Sequence, residues 1–379
     1  MSVKGKIRRH LINLRGWKTG RKIVVFESDD WGSIRMPDKA AYRAFLKKGY
    51  PVDRIAYEKF DSLASEADLS LLFDTLSQFR DHKGKHPVIT ANVIMGNPDF
   101  EKIKASGFEQ YYYEHFTETL KKYPRHGNSF ALWQEGMRKG LFFPQYHGRE
   151  HLNVSKFMKA LQARDKDTHF AFEYQLPGAI PHGMPPRGNA YVESLRYDSE
   201  LDKWEKLAFF LEGYRQFAET FGFASKTVIP PNYTWSPDYH PKAAQAGIGF
   251  YQGIWQMKEP LPETGKRKNK LHKIYMGKVN AYGQRFLIRN AVFEPSLFKL
   301  GIKDPVGNCL REISTAFLWK KPAIITSHRL NYIGYLDEAN RDRNLKLLAE
   351  LIRKILKKWT DVEFHHSAGL ATMIEKPDK

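Results

Sequence analysis

Four apolar residues in a row, Ile23-Val24-Val25-Phe26, lead through Glu27 and Ser28 and stop abruptly at Asp29-Asp30-Trp31-Gly32. A run this short, closed by a turn signal, reads as a buried strand. Further strand candidates lie at Pro87 to Met95, Leu141 to Tyr146, Lys226 to Ile229, Ile248 to Trp255 and Pro322 to Thr326. Helical patterns separate several of them, at Leu69 to Arg80, Val154 to Ala163, Ser199 to Phe221 and Asp337 to Trp359. Strands alternating with helices build parallel βαβ units rather than a sandwich. The stretch Lys273 to Phe293 reads differently, as an antiparallel hairpin turning at Ala281-Tyr282-Gly283. At 379 residues the chain is long for one domain, but α/β barrels reach this size as a unit, and neither an internal repeat nor a clean linker divides it. A hydrophobic content of 42% supplies a sizeable core and argues against disorder.

The formal charge is +19, which favours anionic partners such as acidic glycans, nucleic acid or a phospholipid surface. Part of it lies in residues 1–21, a basic leader that precedes a main domain spanning 22–379. Through Lys22 it holds Lys4, Lys6, Arg8, Arg9, Arg15, Lys18, Arg21 and Lys22 and no acid, with Ile7, Leu11 and Leu14 at helical spacing. Two readings compete: a helix lying on anionic lipid, giving peripheral membrane contact, or a helix packing its apolar stripe on the main domain. The second is the expectation. Lys266, Arg267, Lys268, Lys270 and Lys273 form another basic cluster, but no recognised nucleic-acid motif accompanies it. Cys309 has no possible disulfide partner. No apolar run is long enough to span a membrane, and no signal-peptide pattern follows the basic start, so a cytoplasmic location is expected.

In parallel α/β sheets, sites form where the loops leave the carboxyl ends of the strands. Four polar groups follow strand candidates here: Asp29 and Asp30, His147, Asn232 with Tyr233, and His328. Their convergence at one end of the sheet is the main functional signal. His147 and His151 form a His-x-x-x-His pair, which on one helical turn suits a small metal ion. With 14 histidines, about half of one such pair arises by chance, so position must decide. His82 and His86 share the spacing but precede a strand and enclose Gly84, so they read as a solvated loop. His147 and His151 join a strand to a helix. Adjacent enclosed carboxylates repel, and a metal relieves this by taking one as a ligand, leaving the other as a base.

Strand-Asp-Asp-x-Gly, then His-x-x-x-His after a later strand, then a lone histidine after a final strand resembles the polysaccharide deacetylase superfamily, which includes carbohydrate esterases of family four. The resemblance runs in order from about Lys22 to Phe364. It implies a deformed (β/α) barrel, usually of seven parallel strands, with a mononuclear metal, most often zinc. Carried over, Asp30, His147 and His151 are metal ligands, Asp29 the general base and His328 the general acid. The chain departs from the pattern in four places. Gly148 stands where Ser or Thr usually follows the first ligand histidine. Val228 to Trp235 lacks the usual base-orienting arginine, and no acidic partner motif for one is visible. Thr326 replaces a leucine. The long span from Asp30 to His147 implies an insertion at about 51–130.

The resulting expectation is a metal-dependent hydrolase that removes acetyl or similar groups from a glycan, acidic or lipid-linked in keeping with the charge. A backbone N–H near Asn232 or Tyr233 can hold an oxyanion. Arg329 and Asn331 either orient His328 or touch substrate. Trp31, Tyr233 and Trp235 either stack on sugar rings or belong to the core. The rivals are a glycoside hydrolase using carboxylates among Glu27, Glu173 and Glu294, and a basic membrane- or nucleic-acid-binding protein with a vestigial site.

Overall fold

The computed structural model describes residues 3–178, 191–261, 268–297 and 300–375. Its strands are β1 (Lys22–Trp31), β2 (Ile89–Ile94), β3 (Gly96–Pro98), β4 (Tyr113–His115), β5 (Phe142–Gly148), β6 (Thr227–Val228), β7 (Phe250–Gly253), β8 (Gln256–Pro260), β9 (Asn269–Lys273), β10 (Arg285–Ile288), β11 (Ala291–Val292), β12 (Ala323–His328) and β13 (Val362–His365). Nine of them form one curled sheet in the order β10-β7-β6-β5-β2-β1-β12-β11, with β13 against β1. Every pairing in it is parallel. The barrel-like α/β fold is therefore present, with nine strands where seven were expected; β6 and β11 are only two residues long.

The sheet's spine is β1, buried from Ile23 onward. β12 runs along one side of it; β13 and then β2 share the other. The two outer strands, β10 and β11, are successive in the chain, so Arg289 and Asn290 alone span the gap between the edges. Arg289 N–H donates to Gly253 O (2.8 Å) next to one edge, and Asn290 N–H donates to Ile324 O (3.0 Å) beside the other. This seam curls the sheet and fixes the backbone of Arg289.

The segment 273–293 corrects the hairpin reading. Its turn exists, with Asn280 N–H donating to Gln284 O (2.9 Å), but β10 beyond it joins β7 in parallel. The antiparallel ribbon lies one segment earlier, between β8 and β9. The cause is visible in Phe286-Leu287-Ile288, all buried: an exposed hairpin arm alternates, whereas an unbroken apolar run belongs between two covering layers. The span 51–130 expected to hold an insertion supplies β2 of the main sheet together with the small β3–β4 ribbon. Of the Pro/Gly-rich loop from Phe172 to Arg196, residues 179–190 lie outside the described residues, as do 262–267 of the second basic region.

The N-terminal helix, Val3–Leu14, also departs from expectation. It docks through Arg9, which reaches Asn308 (2.5 Å) and Glu312 (3.2 Å), and Asn13, which accepts from Asn290 (2.8 Å). Ile12 is the apolar contact on that side. Ile7, Leu11 and Leu14 face outward, at 54%, 57% and 44% exposure. The surface below presents a carboxylate and amides, so the polar side of the helix satisfies it.

Candidate metal centre

Along a strand, neighbouring side chains point to opposite faces, so adjacent aspartates should not share a site. Here β1 is bulged: Ser28 pairs with Ala91 and Trp31 with Val93, leaving Asp29 and Asp30 opposite the single Asn92. A bulge re-aims a side chain, and Asp30 takes φ 75° to do so. β5 bulges on the other flank of β2, where Tyr146 pairs with Val93 and Gly148 with Ile94, leaving His147 as the extra residue. Gly148 has φ +150°, and a Cβ there would sit 3.3 Å from Glu150 O and 3.4 Å from Ile94 Cδ1. That accounts for glycine in place of Ser or Thr. The turn after the aspartates needs Gly32 for a similar reason: φ is +84°, and a Cβ would lie 2.5 Å from Ile94 O.

The two bulges bring Asp30, His147 and His151 together, with one ligand atom of each within 4.8 Å of the others. Both imidazole Nε2 atoms lie 3.5 Å from Asp30 Oδ1. His147 Nδ1 is 2.7 Å from Ile229 O, so Nδ1 carries the proton and Nε2 turns its lone pair to the centre. Burial, with Arg35 nearby, pushes His151 down to about 3, so it is neutral at pH 7. Burial raises Asp30, but the Arg35 guanidinium leads the opposing effects and the group is held well below the usual carboxylate range. Asp30 Oδ1 is buried and receives no hydrogen bond. Three acceptor atoms therefore face one point with no proton to share, which a divalent cation would resolve. The residues fit a metal ion.

The histidine pair does not ride on a helical turn as expected. Asn153 caps the next helix by accepting from Lys156 N–H (3.3 Å), so the helix begins at Val154, beyond His151.

Beside this group stands a cluster of charged pairs. Arg289 donates to both oxygens of Asp29 at 2.6 Å and to Glu27 Oε2 at 2.6 Å, and Asn92 adds a 2.7 Å bond to Asp29 Oδ1. Burial raises the Asp29 carboxyl, yet Arg289 outweighs it and holds the group at about 2. His328 Nε2 is 3.8 Å from Asp29 Oδ2, and its Nδ1 is 2.5 Å from Glu294. Burial lowers His328, but the Glu294 carboxylate reverses this and raises it to about 9, so the ring is a cation at neutral pH. The arginine missing from 228–235 is thus supplied from the sheet seam, and Glu294 is the acid that holds the last histidine. Both follow apolar runs, Phe286 to Ile288 and Ala291 to Phe293. Had 285–288 been read as a parallel strand, Arg289 would have stood with the other strand-end residues.

The remaining candidates scatter. Tyr233 stays near the centre, its hydroxyl 3.0 Å from Arg289 Nη1, and Asn232 beside it has φ 58°. Trp31 and Trp235 are core residues, each 1% exposed. Trp31 packs edge-on against Phe142 at 4.9 Å and donates to Ser28 Oγ, because beyond the bulge the strand returns it to the covered face. Trp235 stacks on Tyr251 at 5.3 Å. Arg329 is fully buried, donating to Asp61 and to Ser33 O. Asn331 acts on Glu294 Oε2 (2.7 Å), a positioning contact. His82 and His86 bond backbone carbonyls and join no ligand cluster among the described residues. Of the carboxylates open to a glycosidase, Glu27 and Glu294 are held as described, and Glu173 is exposed at the end of the helix Lys166–Glu173.

No family model matches the chain, and no curated protein matches it. The structure is similar to that of a putative polysaccharide deacetylase from Mycobacterium smegmatis, at 12% identity over 95% of this chain and 93% of that one, with a TM-score of 0.45. It is similar to Puue allantoinase at 11% identity over 94% and 91% of the two chains, TM-score 0.46. A 4-alpha-glucanotransferase from Thermococcus litoralis matches at 8% identity over 93% of this chain, TM-score 0.44, and this chain spans 40% of its length. The likeness is one of fold.

Proposed function

We propose that the chain is a metal-dependent hydrolase that removes acetyl or similar acyl groups from a carbohydrate. The supporting observation is the pairing of an acceptor-only triad, Asp30, His147 and His151, with an arginine-held carboxylate and a cationic imidazole beside it. Two imidazoles and one carboxylate suit zinc. When bound, such an ion lowers the pKa of water at its open position and polarises a carbonyl oxygen.

The chain's own groups divide the proton work. Asp29 Oδ1 already accepts from Arg289 and Asn92, while Oδ2 accepts only from Arg289 and keeps a lone pair on the side of His328. Oδ2 is thus the atom that receives a proton from the attacking water. A carboxyl held near 2 is a weak base, so it orients that water and hands the proton to the neighbouring His328 once that ring has given its own to the leaving group. His328, charged at neutral pH and steadied by Glu294, donates to the departing amine or alcohol. Arg289 keeps Asp29 ionised and fixed in rotation. A cleft lined by Arg35, Tyr57, Leu176 and Tyr191 opens beside His151. Arg35 there already faces Asp30 and Asp61, and Glu58 shares the lining, so the proposal of an acidic or lipid-linked glycan rests on the chain's net charge of +19.

Metal analysis of the purified protein tests this, together with Asp30→Ala and His151→Ala, with acetate release measured on N- and O-acetylated glycans. The wild type is expected to hold one zinc-type ion and release acetate, and both variants to lose metal and turnover. Acetate release that survives metal loss removes the proposal.

A further inference from the structure

The N-terminal helix carries its amphipathic character inverted. Its inward side is made by Arg9 and Asn13, bonded to Asn308, Glu312 and Asn290, with Ile12 between them. Its outward side is Ile7, Leu11 and Leu14, one behind another at helical spacing and about half exposed. Arg8 stands beside this stripe, its guanidinium 5.6 Å from the Trp255 ring, and Arg15 and Lys18 follow the end of the helix; all three are exposed. A surface helix normally buries such a stripe. Here the domain holds the helix by its polar side and presents the apolar one.

We infer that this face is a docking surface for an anionic phospholipid bilayer. Charge decides the occupant. Residues 1–22 contain eight basic residues and no acid. Arg9, Arg21 and Lys22 are paired with Glu312, Glu363 and Asp361, but Arg8, Arg15 and Lys18 stay exposed near the stripe. A second copy facing the first would therefore bring like charges together, whereas an anionic headgroup layer meets these cations and lets the stripe enter the acyl boundary. Three apolar side chains give weak, reversible attachment, and no helix among the described residues is long and apolar enough to cross the membrane. The helix is fixed to the seam of the sheet through Asn13 and Asn290, so docking holds the whole domain at the surface in one orientation.

The test is co-sedimentation of the full-length protein with phosphatidylcholine vesicles and with vesicles containing phosphatidylglycerol, at low and high salt. Binding is expected on the anionic vesicles, about tenfold or more above phosphatidylcholine, and weakening as salt rises. Leu11→Asp with Leu14→Asp is expected to weaken it about tenfold or more, and Arg15→Glu with Lys18→Glu to do likewise. All four side chains are exposed, so an unchanged thermal melt confirms that the variants fold. Unaltered binding in the leucine variant, equal binding to both vesicle types, or no binding overturns the inference. So does a concentration-dependent dimer that the leucine variant abolishes while vesicle binding is absent, which would give the face to a second copy.

Discussion

Asp29 and Asp30 are chain neighbours, both buried, yet their surroundings are opposite in kind. Asp29 is ringed by donors: a bidentate guanidinium, an amide and a cationic imidazole. Asp30 faces two imidazole lone pairs, its Oδ1 receives no hydrogen bond, and the nearest guanidinium, Arg35, stands 3.7 Å from Oδ2. A carboxylate whose charge is already balanced can be pointed at a substrate. One that is left wanting a cation can hold an ion. A single bulge in β1 separates the two roles by one residue. The proximity of like charges is tolerated because each carboxylate has its own counter-charge: Arg289 for one, Arg35 for the other.

The sharpest way to break the contrast is to neutralise one member. Asp29→Asn keeps the size and the bulge but cannot accept a proton. Turnover is expected to fall by about 10²–10⁴-fold with metal content unchanged, read by steady-state kinetics beside metal analysis. Full turnover in this variant would remove Asp29 as the base. Arg289→Met attacks the counter-charge instead and leaves two buried carboxylates, Glu27 and Asp29, without their shared guanidinium. A loss of about 3–5 kcal/mol in denaturant unfolding is expected, because an uncompensated buried charge costs far more than the pair contributes. Adding Glu27→Gln should recover part of it, and no recovery would mean that the damage is one of packing. On the Asp30 side, zinc at about a hundred times its dissociation constant should stabilise the protein by about 2.7 kcal/mol. Asp30→Ala should show no such protection in the same melt.

The candidate site was legible wherever a polar residue directly followed an apolar strand, because topology alone sends those residues to one rim. Asp29, Asp30, His147 and His328 were found that way, and they meet. Arg289 and Glu294 obey the same rule but were hidden, since the turn at 280–283 made the strand before them look like a hairpin arm. Asn92 gave no signal at all: it sits inside β2, and its role depends on a register that pairing rather than pattern fixes. The bulges were equally invisible, because a strand with an extra residue has no distinct composition. Trp31 and Trp235 show the converse limit. Proximity in sequence to a site residue says little about facing it, and both rings lie in the core.

The smallest effect concerns the far side of the contrast, where His328 connects Asp29 to Glu294. Glu294→Gln removes the carboxylate that raises His328 while keeping a hydrogen-bond acceptor. On the role proposed for it, His328 acts as the protonated ring, so activity is expected at neutral pH and should be lost as pH rises through the raised His328 pKa of about 9. The same sign holds for stability: a raised histidine pKa contributes fully below its unfolded value and fades as pH climbs through the folded one. Glu294→Gln should therefore move the alkaline limb of the kcat profile toward the ordinary histidine range near 6.5 while leaving metal content and the acid limb alone. An acid that merely packed against β12 would lower activity evenly at all pH values. A limb that stays in place would assign the second proton transfer to another group.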